Sequence, residues 1–145
     1  MTIVTVMADV AAGVFAGACT YVSMVEHPAR QESGGMAAIK HFGPSARRAA
    51  VMQGGLAMVS LAAGVLAWFQ GSGAGWLWGG LLFGVLVPFT LIVIMPVNRR
   101  LLDARLDPAS PEVAALLSRW GRLHAARTVV GLAAFVAFVV MSVRP

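Results

Sequence analysis

Charge is scarce in this chain of 145 residues: Asp, Glu, Lys and Arg together make up 12% of it, half the ~25% of ordinary soluble domains. With 59% hydrophobic residues beside that deficit, the chain is excluded from the disordered class, which pairs low hydropathy with high charge. It is an equally poor candidate for a water-soluble globule. Cysteine is almost missing. The single Cys19 excludes an internal disulfide framework and any zinc site built from several cysteines. No C-x-x-C-H haem attachment occurs. No Lys or Arg precedes Arg30, so the first apolar stretch lacks the basic start of a cleaved signal peptide and is expected to be a retained helix. The net charge of +5 does not make a nucleic-acid binder, because the basic residues sit in two segments with no aromatic interleaving suited to bases.

What the chain does have is long apolar runs. About 20 apolar residues cross a ~30 Å hydrocarbon core as a helix. Four such spans are expected: 3–25, 49–69, 74–97 and about 127–143. Lipid offers no water to backbone groups, so the spans must be helices, and short connections make neighbours antiparallel. The fold class expected is all-α: one membrane-embedded four-helix bundle over residues 1–145. Gly71-Ser72-Gly73 forces a tight hairpin between the second and third spans. The pairs Gly13/Gly17, Gly75/Gly79 and Gly80/Gly84 are four apart and permit close helix contact, within the bundle or at a homo-oligomer seam.

The basic residues orient the bundle. The loop 26–48 holds Arg30, Lys40, Arg47 and Arg48, and the loop 98–127 holds Arg99, Arg100, Arg105, Arg119, Arg122 and Arg127; Arg144 alone lies elsewhere. The positive-inside rule places both loops in the cytoplasm and both termini outside, in a cell's inner (plasma) membrane. Within the second loop, Ser110 is an expected N-cap, Pro111 suits the first helical position and Glu112 favours the positive helix end. Val113, Leu116, Leu117, Trp120, Leu123 and His124 then recur at helical spacing. An amphipathic helix over about 111–126 is expected to run into the last span, giving one long helix to Val143 that extends into the cytoplasm.

Few residues could carry chemistry. His27 closes the first span in Glu26-His27-Pro28, His41 lies mid-loop, and His124 follows Trp120 by four and precedes Arg127 by three. Trp120, His124 and Arg127 therefore share a helix face, which continues to Gly131 and points into the bundle. Trp and Arg are also ordinary membrane-interface residues, and a histidine there can be purely structural. Two imidazoles at one membrane boundary, His27 and His124, can relay protons, bind a metal or ligate haem, although two histidines without a carboxylate or cysteine cluster are a thin metal set. Asn98, at the same boundary after Pro96, can orient a carbonyl or hydroxyl or simply cap the third span. Asp9 lies about 27 Å along its helix from His27 and belongs to a different, hydrated place near the outer end.

Four spans, a Gly- and Ala-rich first span ending at His27-Pro28, the segment Met95-Pro96-Val97-Asn98-x-x-Leu101, and Trp120-x-x-x-His124-x-x-Arg127 entering the last span together resemble the anthrone oxygenase-like family of small membrane proteins. Members are associated with oxidation of an anthrone to an anthraquinone. The resemblance covers essentially the whole chain and implies Asn98, Trp120, His124 and Arg127, and more loosely His27, as site residues. No nucleotide or flavin motif is typical of the family, and none is present here.

Three functions follow as expectations. The first is an oxidoreductase or oxygenase acting on a flat, lipid-soluble phenolic or quinone-like molecule that comes from the bilayer. His124 or His27 would remove a proton beside a carbonyl, Arg127 and Asn98 would hold the enolate oxygen, and Trp120 would stack on the ring. The cofactor is open: none by motif, haem or metal only through His27 and His124. The second is a non-enzymatic membrane subunit in a larger or homo-oligomeric complex. The third is a small transporter, against which the absence of a charge near the midplane of the spans counts.

Overall fold

The computed structural model describes residues 2–144. Four helices follow one another: Ile3–Glu32, Gly35–Phe69, Ala74–Leu101 and Pro111–Val143. All four are long and apolar enough to cross a membrane, and no strand occurs among the described residues. The protein is a multi-pass, all-helical membrane protein.

The helices outrun the apolar spans, and this corrects the expected loop at 26–48. The first helix continues to Glu32. The chain breaks only at Ser33 and Gly34, where Gly34 takes φ +82°, a left-handed value glycine adopts without penalty. The second helix then starts at Gly35, so His41 is helical and faces outward, exposed. Pro44 sits inside that helix. Proline and glycine in 28–44 read as loop signals, but helices packed on both sides tolerate them.

The segment after Leu101 is the true loop. Leu106 buries itself there, and Arg100 spans it, bonding Glu112 at 2.7 Å and Asp103 at 3.3 Å. Ser110 does occupy the N-cap position of the last helix. Its hydroxyl makes no capping bond, however, and is left unpartnered. The turn closes through the Ser110 carbonyl and the Val113 N–H instead.

Each helix packs on the next, and the fourth closes on the first. The backbones of the diagonal pairs stay apart, as in an up-down bundle with short connections, and only side chains meet across the diagonal. The second and third helices approach most closely at Gly64 and Gly80, where a Cβ on Gly64 would come within 2.7 Å of the Trp76 carbonyl oxygen and 3.0 Å of the Gly80 Cα. That is the close packing small residues permit in lipid. Outward-facing Val10, Val51, Val85, Ile92, Val129 and Val136 are exposed, the surface hydrocarbon would cover.

The interior divides in two. Toward the termini lies a cluster of Phe15, Trp76, Phe83, Phe138 and several alanines. Toward the basic end lies a second cluster of Phe42, Ile94, Val97, Leu101, Leu117 and Trp120. Between and beside them sit buried polar side chains: Gln53, His124, Arg127, Thr128, His27 and Arg30.

Candidate functional site

Two wide helical turns shape this polar zone. At Val22–Glu26 the first helix opens to π geometry, with the His27 N–H reaching the Val22 carbonyl five residues back. At Thr90–Ile94 the third helix does the same, with the Met95 N–H on the Thr90 carbonyl. Each wide turn stops one residue short of the one before a proline, Pro28 or Pro96. A proline ring collides with the carbonyl four residues back, here Met24 and Ile92, both inside the widened turns. Opening the turn relieves that clash and re-aims the side chains upon it. Pro44 and Pro88 have no widened turn on the residues preceding them, so proline permits the device without dictating it.

The first wide turn brings Ser23 to His124. Ser23 Oγ lies 3.1 Å from His124 Nδ1 and 2.9 Å from Thr128 Oγ1. Thr128 Oγ1 also lies 3.0 Å from the His124 carbonyl oxygen and 3.3 Å from that of Cys19. A hydroxyl has one proton to give. If Thr128 gives its proton to a carbonyl, Ser23 donates to Thr128 and accepts from His124 Nδ1–H. That direction makes one more bond than the reverse. It assigns the neutral Nδ1–H tautomer and leaves Nε2 with a free lone pair. Among the described residues, Nε2 has no protein partner.

Trp120 organises the neighbours. Its indole stacks on the His124 ring, with centroids 4.8 Å apart and planes 24° from parallel. Its Nε1–H donates to Asn98 Oδ1 at 2.8 Å. Indole nitrogen can only donate, so the Asn98 amide NH2 is left for another acceptor. Asn98 is therefore tied across the bundle and not a helix cap; the third helix runs three residues past it. His27 also packs on Trp120, with centroids 5.1 Å apart. It fits because residue 121 is glycine: a Cβ there would strike His27 Nε2.

Two arginines complete the zone. Arg30, expected in a solvated loop, is buried; it pairs with Glu26 and reaches Ser45 at 3.2 Å, and its guanidinium lies over Phe42 and Trp120. Arg127 bonds Gln53 Oε1, lies 3.6 Å from Cys19 Sγ and sits over the Phe15 ring. Arg127 stands sixteen residues before Val143, about 24 Å along the helix. It thus lies inside a ~30 Å apolar depth but toward its basic end, away from the midplane where no charge was expected.

Two cavities meet at these residues. One of about 60 Å3 is lined by Arg30, Ser45, Asn98, Trp120, His124 and Arg127. The other, of about 150 Å3, is lined by Phe15, Gly54, Ala57, Leu86, Leu91 and Arg127. Ala50, Gln53, Thr90, Met95 and Arg127 line both. The larger one lies between the second and third helices and reaches outward-facing Leu91.

Of the residues singled out by sequence, Asn98, Trp120, His124 and Arg127 converge on the smaller cavity. His27 stands behind Trp120. Asp9 lies at the far end, accepting from Ser142. His27 and His124 each pack a ring face on Trp120, and among the described residues no group of three or more His, Cys, Asp or Glu converges to hold a metal. Sequence reasoning missed Ser23, Gln53, Thr128 and the buried Glu26–Arg30 pair. Two signals were present: Gln53 is a lone amide in an apolar run, and Thr128 follows His124 by one helical turn.

A family model described as anthrone oxygenase matches residues 42–137, more than half of the chain. The match spans Gln53, both walls of the larger cavity on the second and third helices, and Asn98, Trp120, His124 and Arg127; it does not reach Ser23, His27 or Arg30. No curated protein and no solved structure matches the chain.

Proposed function

The chain belongs to the anthrone oxygenase family, and from that premise we propose that it oxidises a flat, lipid-soluble polycyclic ketone of the anthrone type. The observation that carries this reading is the pair of joined cavities. One is largely apolar and opens between two helices toward the lipid side, and the other is lined by a histidine, two amides and two arginines.

The chemistry needs a base, an oxyanion holder and dioxygen. His124 Nε2 removes a proton from the CH2 opposite the ketone, and the electron pair delocalises onto the ketone oxygen. Arg127 and the free NH2 of Asn98 donate to that enolate oxygen in a site of low dielectric. The electron-rich carbon then passes two electrons to dioxygen as a C–O bond forms, and the protonated His124 returns its proton to the outer peroxide oxygen. The resulting hydroperoxide loses water, converting CH2 to C=O. One oxygen atom stays in the product and the other leaves in water, with no external reductant. The basic end of the bundle faces the cytoplasm on the charge rule, and the substrate arrives through the bilayer.

Oxygen uptake on adding a hydroxyanthrone to the protein in lipid nanodiscs tests this, against empty nanodiscs for spontaneous oxidation. Uptake no faster than in empty discs ends the reading. The access route has its own test. Gly54 lines the larger cavity and a Cβ there meets nothing within 4 Å, so the side chain of Gly54→Trp starts from open space beside the cavity. It is expected to raise KM about tenfold, the order of a lost apolar contact surface, with melting temperature unchanged.

A further inference from the structure

Count the charges around the smaller cavity. Arg30 is neutralised by Glu26, with which it pairs directly. Arg127 has no acid. Its neighbours are the Gln53 amide, the Cys19 thiol and the Phe15 ring, and its Nε–H is buried with no acceptor. Arg127 is only 8% exposed and lies at a depth where an uncompensated cation is costly and marks a functional site. On the Arg30 side, Nε and Nη1 are also buried without acceptors. The two guanidiniums line one cavity, and together they hold one positive charge and three nitrogens, bearing four N–H, more than the protein uses.

We propose that the site is built for a ligand already carrying one oxyanion. That ligand is an aromatic phenolate or carboxylate whose charged oxygen sits against Arg127, with Arg30 as second donor, while its rings fill the apolar cavity of Phe15, Leu86 and Leu91. The inference deepens the proposed oxidation by naming the ionisation state of its substrate. It also explains why the two cavities share Arg127: the charged head and the apolar rings belong to one molecule.

Binding, not turnover, is the test, so that it stands apart from the oxidation itself. Two matched pairs of stable product-like ligands serve: anthraquinone-2-carboxylate with its methyl ester, and alizarin, at a pH where it is ionised, with its dimethyl ether. Each is titrated into the protein in nanodiscs, with binding followed by quenching of tryptophan fluorescence and corrected with empty discs. The anion of at least one pair is expected to bind about tenfold or more tighter than its capped partner, the scale of one charge-assisted contact. The pair that shows it tells carboxylate from phenolate. Arg127→Gln should remove the preference by weakening the anion about tenfold more than its capped partner, and Arg127→Lys should keep part of it. Because the wild-type comparison needs no variant, a misfolded Arg127→Gln does not rescue the idea. Equal affinity for charged and capped forms in both pairs overturns it, even if oxygen uptake with a neutral anthrone is robust. No binding by any of the four overturns it as well.

Discussion

The two halves of this bundle are built by different rules. Near the termini, rings and glycines interlock: Phe138 stacks on Trp76 with centroids 5.1 Å apart, Phe83 meets Phe15 edge-on at 5.3 Å, and Gly64 and Gly80 let two backbones touch. Near the basic end the helices carry two widened turns, buried arginines and unpartnered N–H groups, and there the cavity with the polar lining lies. In lipid, burying apolar surface brings no transfer gain, so helix association depends on tight packing and on polar contacts. One half invests in tight packing. The other gives up packing for polar groups that await a partner. Loss of stability and loss of activity should therefore separate along the helix axis.

Two substitutions test that separation from opposite ends. His124→Gln keeps a side chain near the size of imidazole but removes the base. Oxygen uptake should fall by about 10²–10⁴-fold, the usual range for a lost general base, with thermal stability close to the parent. Phe138→Ala should do the reverse. Phe138 is fully buried, and emptying its place costs about 3 kcal/mol, the low end for an aromatic deletion, because in lipid only contacts and cavity count. Measured by titration with denaturing detergent, that loss should appear without a change in KM for the protein that remains folded. A Phe138→Ala variant as inactive as His124→Gln at full occupancy of the fold would erase the division.

The legible part of this molecule was what runs along one helix. Run length disclosed all four helices, and spacing disclosed that Trp120, His124 and Arg127 share a face. Contacts across the bundle were not legible. Ser23 meets His124 over 101 positions and Gln53 meets Arg127 over 74, and no local pattern encodes either. Arg30 read as a solvated topology marker because charge alone signals location; its burial depends on Glu26 one turn earlier, on Ser45 of the next helix and on the aromatic faces of Phe42 and Trp120. The wide turns were hidden for a related reason. Pro28, Pro44, Pro88 and Pro96 lie inside continuous helices, with Pro111 opening the last one, yet only Pro28 and Pro96 follow a π turn, and which ones do depends on neighbours.

Gly121 sharpens the comparison with a smaller effect. In an exposed helix interior, glycine to alanine stabilises by about 1 kcal/mol through propensity. Here a Cβ would drive into His27, so Gly121→Ala should destabilise instead and lower oxygen uptake about tenfold by displacing the indole that orients Asn98 and His124. The control is compensatory. Adding His27→Ala should restore stability above that of Gly121→Ala alone, a coupling expected of residues in direct contact. Additive losses would mean that His27 does not depend on the space glycine leaves.

The smallest effect belongs to the loop after Leu101, which carries charge but no part of the site. Asp103 accepts from the Arg105 side chain and backbone N–H, at 3.2 Å and 2.9 Å, and pairs with Arg100. These bonds, that from the Arg105 side chain foremost, hold its carboxyl well below the ordinary 3.8, at about 2. The sign follows from linkage: a carboxylate whose pKa is lower folded than unfolded stabilises the fold above the unfolded value and loses that contribution as pH falls through the folded one. Stability from Asp103 is thus fully present above about pH 4 and is lost toward pH 2. The pair is exposed, so screening keeps its worth small. The carboxyl resonance of Asp103 should titrate near 2 by NMR, and Asp103→Asn should flatten the acid limb of stability between pH 4 and pH 2 while leaving oxygen uptake at neutral pH unchanged. A titration at the ordinary 3.8 would mean the Arg105 clamp does not hold. A loss of uptake at neutral pH would mean that the loop reaches the site through Arg100 and Glu112, and the functional half of the bundle would then extend beyond the membrane-spanning helices into the connection that joins two of them.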